Sequence, residues 1–198
     1  AMRLQMNPHF IFNTLNSIKG FYAENDTEKA NEYISKFSKL LRSILENTDQ
    51  VVSLEKEIEY LKLYLDLTQL RYPGKFIYKI VLDENINIEK TGIPPMLVQP
   101  FLENSIVHGI VPKQKEGLIQ LEFAKANGQL ICYITDNGIG RSAAKMNSST
   151  REHQSKAIEI INEFIAALNL KNYSEKFTLD IQDLYNERHE PAGTKVII

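Results

Sequence analysis

The sequence predicts an α+β protein in two parts, a helical bundle over residues 1–72 and an α/β two-layer sandwich over residues 73–198. Three observations carry this. Apolar residues recur at helical spacing as far as Arg71. Tyr72-Pro73-Gly74 then stops the helices. Beyond it, strand-like runs and helices intermix without the strict βαβ alternation of a Rossmann fold.

In the first helix, at about 3.6 residues per turn, Leu4, Ile11, Leu15, Ile18 and Tyr22 form one narrow stripe, and His9, Asn13, Asn16 and Gly20 lie opposite. Pro8 cannot donate to the carbonyl of Leu4 and crowds it, so the helix kinks or begins there. Asn7 as N-cap and Pro8 as the first helical residue would put His9 in the first turn. The phase of Leu4 favours a kinked, continuous helix. Asn25-Asp26-Thr27-Glu28 supplies caps and early acids for a second helix. Its seam, Ala30, Ile34, Phe37, Leu41, Ile44 and Thr48, alternates by four and three, as in helices packed lengthwise. Asn47-Thr48-Asp49-Gln50 breaks that helix. Ser53 can cap a third, with Glu55 and Glu57 near its positive end and Leu54, Ile58, Leu61 and Leu65 as its stripe. One short hairpin cannot satisfy three such seams, so a dimeric bundle is expected.

In the second part, Phe76 to Leu82 is rich in β-branched and aromatic residues and reads as a strand. Ile93-Pro94-Pro95 introduces a helix through Gly109. Strands follow over Leu118–Ala124 and Gln129–Thr135, with Asn127-Gly128 as a hairpin turn. Arg141 to Lys156 is polar and poor in large apolar groups, the composition of a mobile loop. An amphipathic helix over Ala157–Leu168, a strand over Lys176–Leu184 and a last strand over Thr194–Ile198 complete the reading.

Composition excludes several classes. Hydrophobic residues make up 43% and charged residues 24% of 198, ordinary for a globular chain with a real core. A net charge of -2 directs no strong field at nucleic acid or an anionic membrane. The single Cys132 rules out an intrachain disulfide and reads as a small buried hydrophobe. No apolar stretch approaches a bilayer span, and no signal peptide precedes the first motif. The chain opens a few residues before that motif, inside an expected helix, so it reads as part of something longer.

The motif is Gln5-Met6-Asn7-Pro8-His9-Phe10-Ile11-Phe12-Asn13-Thr14-Leu15-Asn16. His9 lies on the polar face of its helix, available for chemistry, with Asn13 four residues on and able to fix the ring tautomer. Pro-His alone reads as a surface histidine beside a helix-start proline. The whole segment resembles the phosphoacceptor motif of the LytS-type sensor histidine kinases, Q-x-N-P-H-F-x-F-N-x-L-N. The resemblance implies that His9 accepts the γ-phosphoryl group of ATP. It also implies a sensory or membrane region upstream, making this the cytoplasmic portion of a membrane-anchored bacterial protein.

A second constellation follows. In Pro100-Phe101-Leu102-Glu103-Asn104-Ser105-Ile106-Val107-His108-Gly109, Asn104 and His108 are expected one helical turn apart on a shared face, with Glu103 adjacent. A carboxamide oxygen suits Mg²⁺, which keeps other positions for water and phosphate; alone, this pattern reads as a solvated helix face. Asp136-Asn137-Gly138-Ile139-Gly140 ends a strand. Its aspartate can accept from an exocyclic amine, and its glycines let backbone approach a ring or phosphate; alone, it reads as a turn. In this order and spacing the two resemble the N box and first glycine box of the GHKL ATP-binding fold. The resemblance implies Asn104 on Mg²⁺, Glu103 as base or orienting group, His108 near the phosphates and Asp136 on the adenine amine. It places Gly138 and Gly140 beside the nucleotide and Thr194, in the Gly193-Thr194 pair, near adenine. The second glycine box departs: Ser155-Lys156-Ala157-Ile158 carries alanine where the family has glycine.

These resemblances imply a homodimeric histidine kinase core that autophosphorylates on His9 with ATP and Mg²⁺. It would then pass the phosphoryl group to an aspartate of a response regulator, often of LytTR type, with no direct contact to nucleic acid. Ala157 motivates the alternative, a degenerate kinase acting as a dimeric docking module. His153 and His189 match no motif and read as surface residues.

Overall fold

The computed structural model describes residues 8–46, 51–146, 163, 165–166, 169–170 and 176–198. The chain divides into two units. One holds the N-terminal helices together with Asn87–Gln99; the other holds Gly74–Ile86 and the chain from Pro100 onward.

In the first unit, α1 (Pro8–Ala23), α2 (Thr27–Glu46) and α3 (Leu54–Arg71) pack in sequence order. The caps are those expected. The Lys29 amide donates to the Asp26 carboxylate at 3.0 Å, and the Lys56 amide donates to the Ser53 hydroxyl at 3.3 Å. The whole predicted stripe of α3 is buried, and aromatic rings join the helices: Phe10 lies 5.4 Å from Tyr64 and 6.2 Å from Phe37, and Phe21 5.5 Å from Tyr33.

On α1 the buried line is not the predicted one. Phe10, Thr14 and Phe21 face inward, Ile11 and Ile18 are half-buried, and Leu15 and Tyr22 are exposed. Two stripes a fraction of a turn apart fit the same period, and α2 and α3 take the one whose aromatic rings bury more area. The helix is described from Pro8. Leu4, Asn7 and the expected kink lie outside the described residues, as does the break at 47–50.

Between α2 and α3, β1 (Val52–Ser53) pairs antiparallel with β3 (Gly92–Ile93), and the first amides of α3 continue the contact, Leu54 to the Thr91 carbonyl at 2.8 Å and Glu55 to the Ile88 carbonyl at 3.0 Å. Residues 87–99 therefore form a strap on the N-terminal end of α3. The helix expected from Ile93 starts later: the strap ends at α4 (Gln99–Asn104), which passes into a π-helix over Ser105–Ile110. Prolines at 94 and 95 and a left-handed Met96 (φ 61°) keep the intervening chain out of the helix.

In the second unit, β2 (Phe76–Leu82), β4 (Gly117–Ala126), β5 (Gln129–Asp136), β6 (Asp180–Tyr185) and β7 (Pro191–Ile197) form a mixed sheet in the order β2-β4-β5-β7-β6. Only the β2–β4 pair is parallel. Ile119, Leu121, Phe123, Cys132, Ile134 and Val196 are buried on one face, and the π-helix packs on β4, β5 and β7. The Asn127-Gly128 hairpin has both residues at positive φ, 53° and 85°, as a type I′ turn demands. Arg141 does not open a loop: Gly140–Met146 is a helix, α5, packed on β7 and the π-helix. The remainder of the expected loop, the second glycine box and much of the helix expected over 157–168 lie outside the described residues. The strand expected at Lys176 begins at Asp180, and the last strand begins at Pro191, ahead of Thr194. His189 is exposed, in a turn, and His153 lies outside the described residues.

Candidate functional site

The second unit brings the two C-terminal motifs against one another. Asp136 is the last residue of β5, on the buried face of the sheet and 2% exposed. Its Oδ2 accepts from the Ser105 hydroxyl at 3.0 Å, and its Oδ1 accepts from the Gly138 amide at 2.9 Å. Burial pushes its carboxyl above the ordinary aspartate value. The Gly138 amide, the Ser105 hydroxyl, the Thr194 amide and the Lys113 ammonium oppose that shift. Each carboxylate oxygen retains a lone pair beyond these bonds, so the group can still accept from an external N–H.

Glycines make the approach possible. A Cβ on Gly138 would lie 2.5 Å from the carbonyl carbon of Gly109, and one on Gly109 would lie 3.1 Å from Asp136 Oδ1. The Ile139 amide donates to the Gly109 carbonyl at 3.0 Å, fastening the loop to the helix. Gly193 (φ 135°) sits where a Cβ would overlap the Asp136 carbonyl oxygen, and Thr194 pairs with Asp136 across the β5–β7 ladder.

The turn carrying Asn104 differs from the expected one. Asn104 ends α4, and the π-helix closes with the Val111 amide on the Ile106 carbonyl at 2.8 Å, five residues back. A turn closed over five residues is wider than the α-turn expected there. The same widened turn sets Ser105 and Gly109 on the Asp136 side. π-turns of this kind recur at functional sites. Glu103, Asn104 and His108 are all half-buried. Among the described residues no three His, Cys, Asp or Glu side chains cluster as metal ligands. A metal here would rest on the Asn104 carboxamide together with phosphate oxygens and water, a donor set that fits Mg²⁺.

Three contributors escaped the sequence reading. Ser105 holds Asp136. The Lys113 ammonium donates to the Asn137 carbonyl at 2.6 Å. Arg141 grips Asp183 through two nitrogens at 2.7 and 2.9 Å, tying the end of the glycine motif to β6. Ser105 lay inside the motif, but only the fold reveals its partner. His9 and Asn13 are not part of this cluster: they occupy the first turns of α1, in the other unit.

Residues 1–76 match the family model described as histidine kinase. The sensor protein LytS of Oceanobacillus iheyensis is 34% identical over 141 residues, 70% of this chain and 23% of that protein. This chain belongs to the LytS-type sensor histidine kinases. LytS of Bacillus cereus aligns over 96% of the chain at 28% identity, covering 32% of its own length. This LytS-type chain thus spans roughly a quarter to a third of those relatives. A solved structure titled as a bacterial phosphotransferase shares the fold, with a TM-score of 0.50 at 10% identity over 94% of this chain and 86% of that one. No helix among the described residues of the LytS-type chain is long and apolar enough to cross a membrane.

Proposed function

We propose that the chain is the kinase core of a two-component sensor: it binds ATP at the Asn104–Asp136 cluster, phosphorylates His9 and delivers the phosphoryl group to a response-regulator aspartate. The observation that carries this reading is the buried Asp136 carboxylate, with acceptor capacity to spare, walled by glycine backbone and joined to the Asn104 helix in a chain that also bears the Pro8-His9 segment.

Asp136 accepts the exocyclic amine of adenine, and Thr194 lies near the ring. Gly138 and Gly140 admit the nucleotide to the backbone, while Glu103 and His108 orient groups toward the phosphates. Bound at Asn104, Mg²⁺ supplies neutralisation of phosphate charge. His9 is the nucleophile. At neutral pH an imidazole with an ordinary pKa near ~6.5 is largely uncharged. One ring nitrogen forms the N–P bond as the P–O bond to departing ADP breaks, and the ring proton is released. Asn13, one turn on, holds the ring tautomer.

A homodimer is the proposed assembly, supported by Phe12 (64% exposed), Leu15 (53%), Tyr22 (48%) and Leu45 (68%), which present apolar area on α1 and α2. A LytTR-type regulator is the partner proposed for the phosphoryl group, and a cytoplasmic site is proposed for the core, with a membrane anchor in a region upstream. Ala157 in the second glycine box favours one other reading, a degenerate kinase that serves as a dimeric docking module.

Incubation with γ-labelled ATP tests the proposal. Acid-labile, base-stable label should appear on the chain and vanish in His9→Gln; label that survives the substitution removes His9 as acceptor. Calorimetry separates the docking reading: Mg·ATP binding by the parent chain that Asp136→Asn weakens argues against it, and no binding by the parent chain supports it.

A further inference from the structure

Glu57 is the other buried acid among the described residues, and the function above makes no use of it. It lies in the first turn of α3, near the positive end of the helix, and it is fully buried. Its Oε2 accepts from the Met96 amide at 2.9 Å, and Oε1 has no hydrogen-bond partner among the described residues. The amides of Leu97 and Val98 add a favourable field. Met96 holds a left-handed backbone (φ 61°), a conformation an unbranched non-glycine residue adopts only when its surroundings enforce it. Met96, Leu97 and Val98 are themselves buried. Gln99, next in the chain, is both the last residue grouped with the helices and the first residue of α4, whose last two residues are Glu103 and Asn104.

We infer that Glu57 is a positioning residue: by holding the Met96 amide it enforces the Met96–Val98 turn on α3 and so fixes the residue at which α4 begins and the order of its turns as far as Asn104. Its importance for phosphoryl transfer rests on the function proposed above; the positioning itself does not. The geometry favours this over a purely structural acid, because a carboxylate serving only α3 would face its own helix's first amides. Here Ser53 meets that need, and Glu57 reaches 39 residues along the chain instead. Gln99, next after the held turn, is the first residue of α4.

Amide hydrogen exchange on the nucleotide-free chain tests it, with Glu57→Leu and the milder Glu57→Asp, which withdraws the carboxylate by one methylene. Loss of the buried acceptor should speed exchange at Met96–Val98 about tenfold. If the inference is right, amides of Glu103 to Ile106 speed up with them, while those of β4 and β5 do not. Glu57→Gln, which keeps an acceptor oxygen, should restore protection at both places. Faster exchange at Met96–Val98 with Glu103 to Ile106 unchanged overturns the inference, as does no change at either. Should Glu57→Leu fail to fold, Glu57→Asp decides alone on the same criterion. Mg·ATP titration of the same proteins then reports separately on function. No binding by the parent chain would defeat the nucleotide reading while leaving the exchange result to judge Glu57.

Discussion

Glu57 and Asp136 are both carboxylates withdrawn from water, one in each unit, and burial raises the pKa of both. Their surroundings differ. Asp136 has each oxygen bonded, by a hydroxyl on one side and an amide on the other, within a frame of glycine backbone. Glu57 has one oxygen bonded and one without a hydrogen-bond partner among the described residues, on a helix whose Leu54, Ile58 and Leu61 are also buried, and its carboxyl is pushed up to about 7. A carboxylate fixed by one bond to each oxygen, with acceptor capacity left over, suits recognition of a ligand N–H. One committed to a distant backbone amide suits holding a turn.

Four substitutions break or sharpen that contrast, from the largest effect to the smallest. Gly193→Ala attacks the Asp136 frame directly. The new Cβ collides with the Asp136 carbonyl at a backbone angle only glycine tolerates, so urea denaturation should show a loss of roughly 3 kcal/mol or more. An unchanged midpoint would mean that the frame is not rigid.

Glu57 should dominate the pH dependence. Its folded-state pKa of about 7 lies above the ordinary 4.5, so between those values the folded chain holds a proton that the unfolded chain has released. Stability is therefore full below about pH 4.5, falls as pH rises, and levels off above about pH 7, a total change of roughly 3 kcal/mol. Asp136 adds a slope of the same sign at the acidic end. Glu57→Gln should flatten the curve between about pH 5 and 7 and leave the acidic end intact. Parallel curves for the two proteins would show that Glu57 is not the titrating group.

Asp136→Asn replaces an acceptor oxygen with an amide donor at nearly constant shape. Calorimetry should find Mg·ATP affinity weakened roughly 30-fold while the unfolding midpoint moves little. A large stability loss with affinity intact would reverse the roles assigned to the two acids. Ser53→Ala is the control on α3. It removes the cap without touching the Met96 amide and should cost about 1 kcal/mol, with exchange at Met96–Val98 unaltered.

Much of this was legible locally. Asp26 and Ser53 act as the caps their positions suggest, Phe76–Leu82 is a strand with the bounds read from its β-branched run, and Asn127-Gly128 makes the hairpin. Asp136 ends its strand beside the glycines that follow it. Other features left no local trace. A two-residue ribbon such as β1–β3 is too short to show a period. The π-turn after Asn104 depends on Ser105 and Gly109 meeting Asp136, about thirty residues on. Arg141 read as the start of a loop because its anchor, Asp183, is 42 residues away. The acids at 55 and 57 look alike in sequence; only the return of Met96 separates the exposed one from the buried one.

By itself the sequence determined the three N-terminal helices with the caps at Asp26 and Ser53, the strand at Phe76–Leu82, the Asn127-Gly128 hairpin and the two motifs, because each depends on residues within a few positions of one another. Tertiary structure decided which of two apolar stripes on α1 turns inward, that residues 87–99 join the helices, how wide the turn after Asn104 is, and what Glu57 holds. Those outcomes depend on which distant surfaces bury the most area and which buried polar groups find partners, and no local window contains that information.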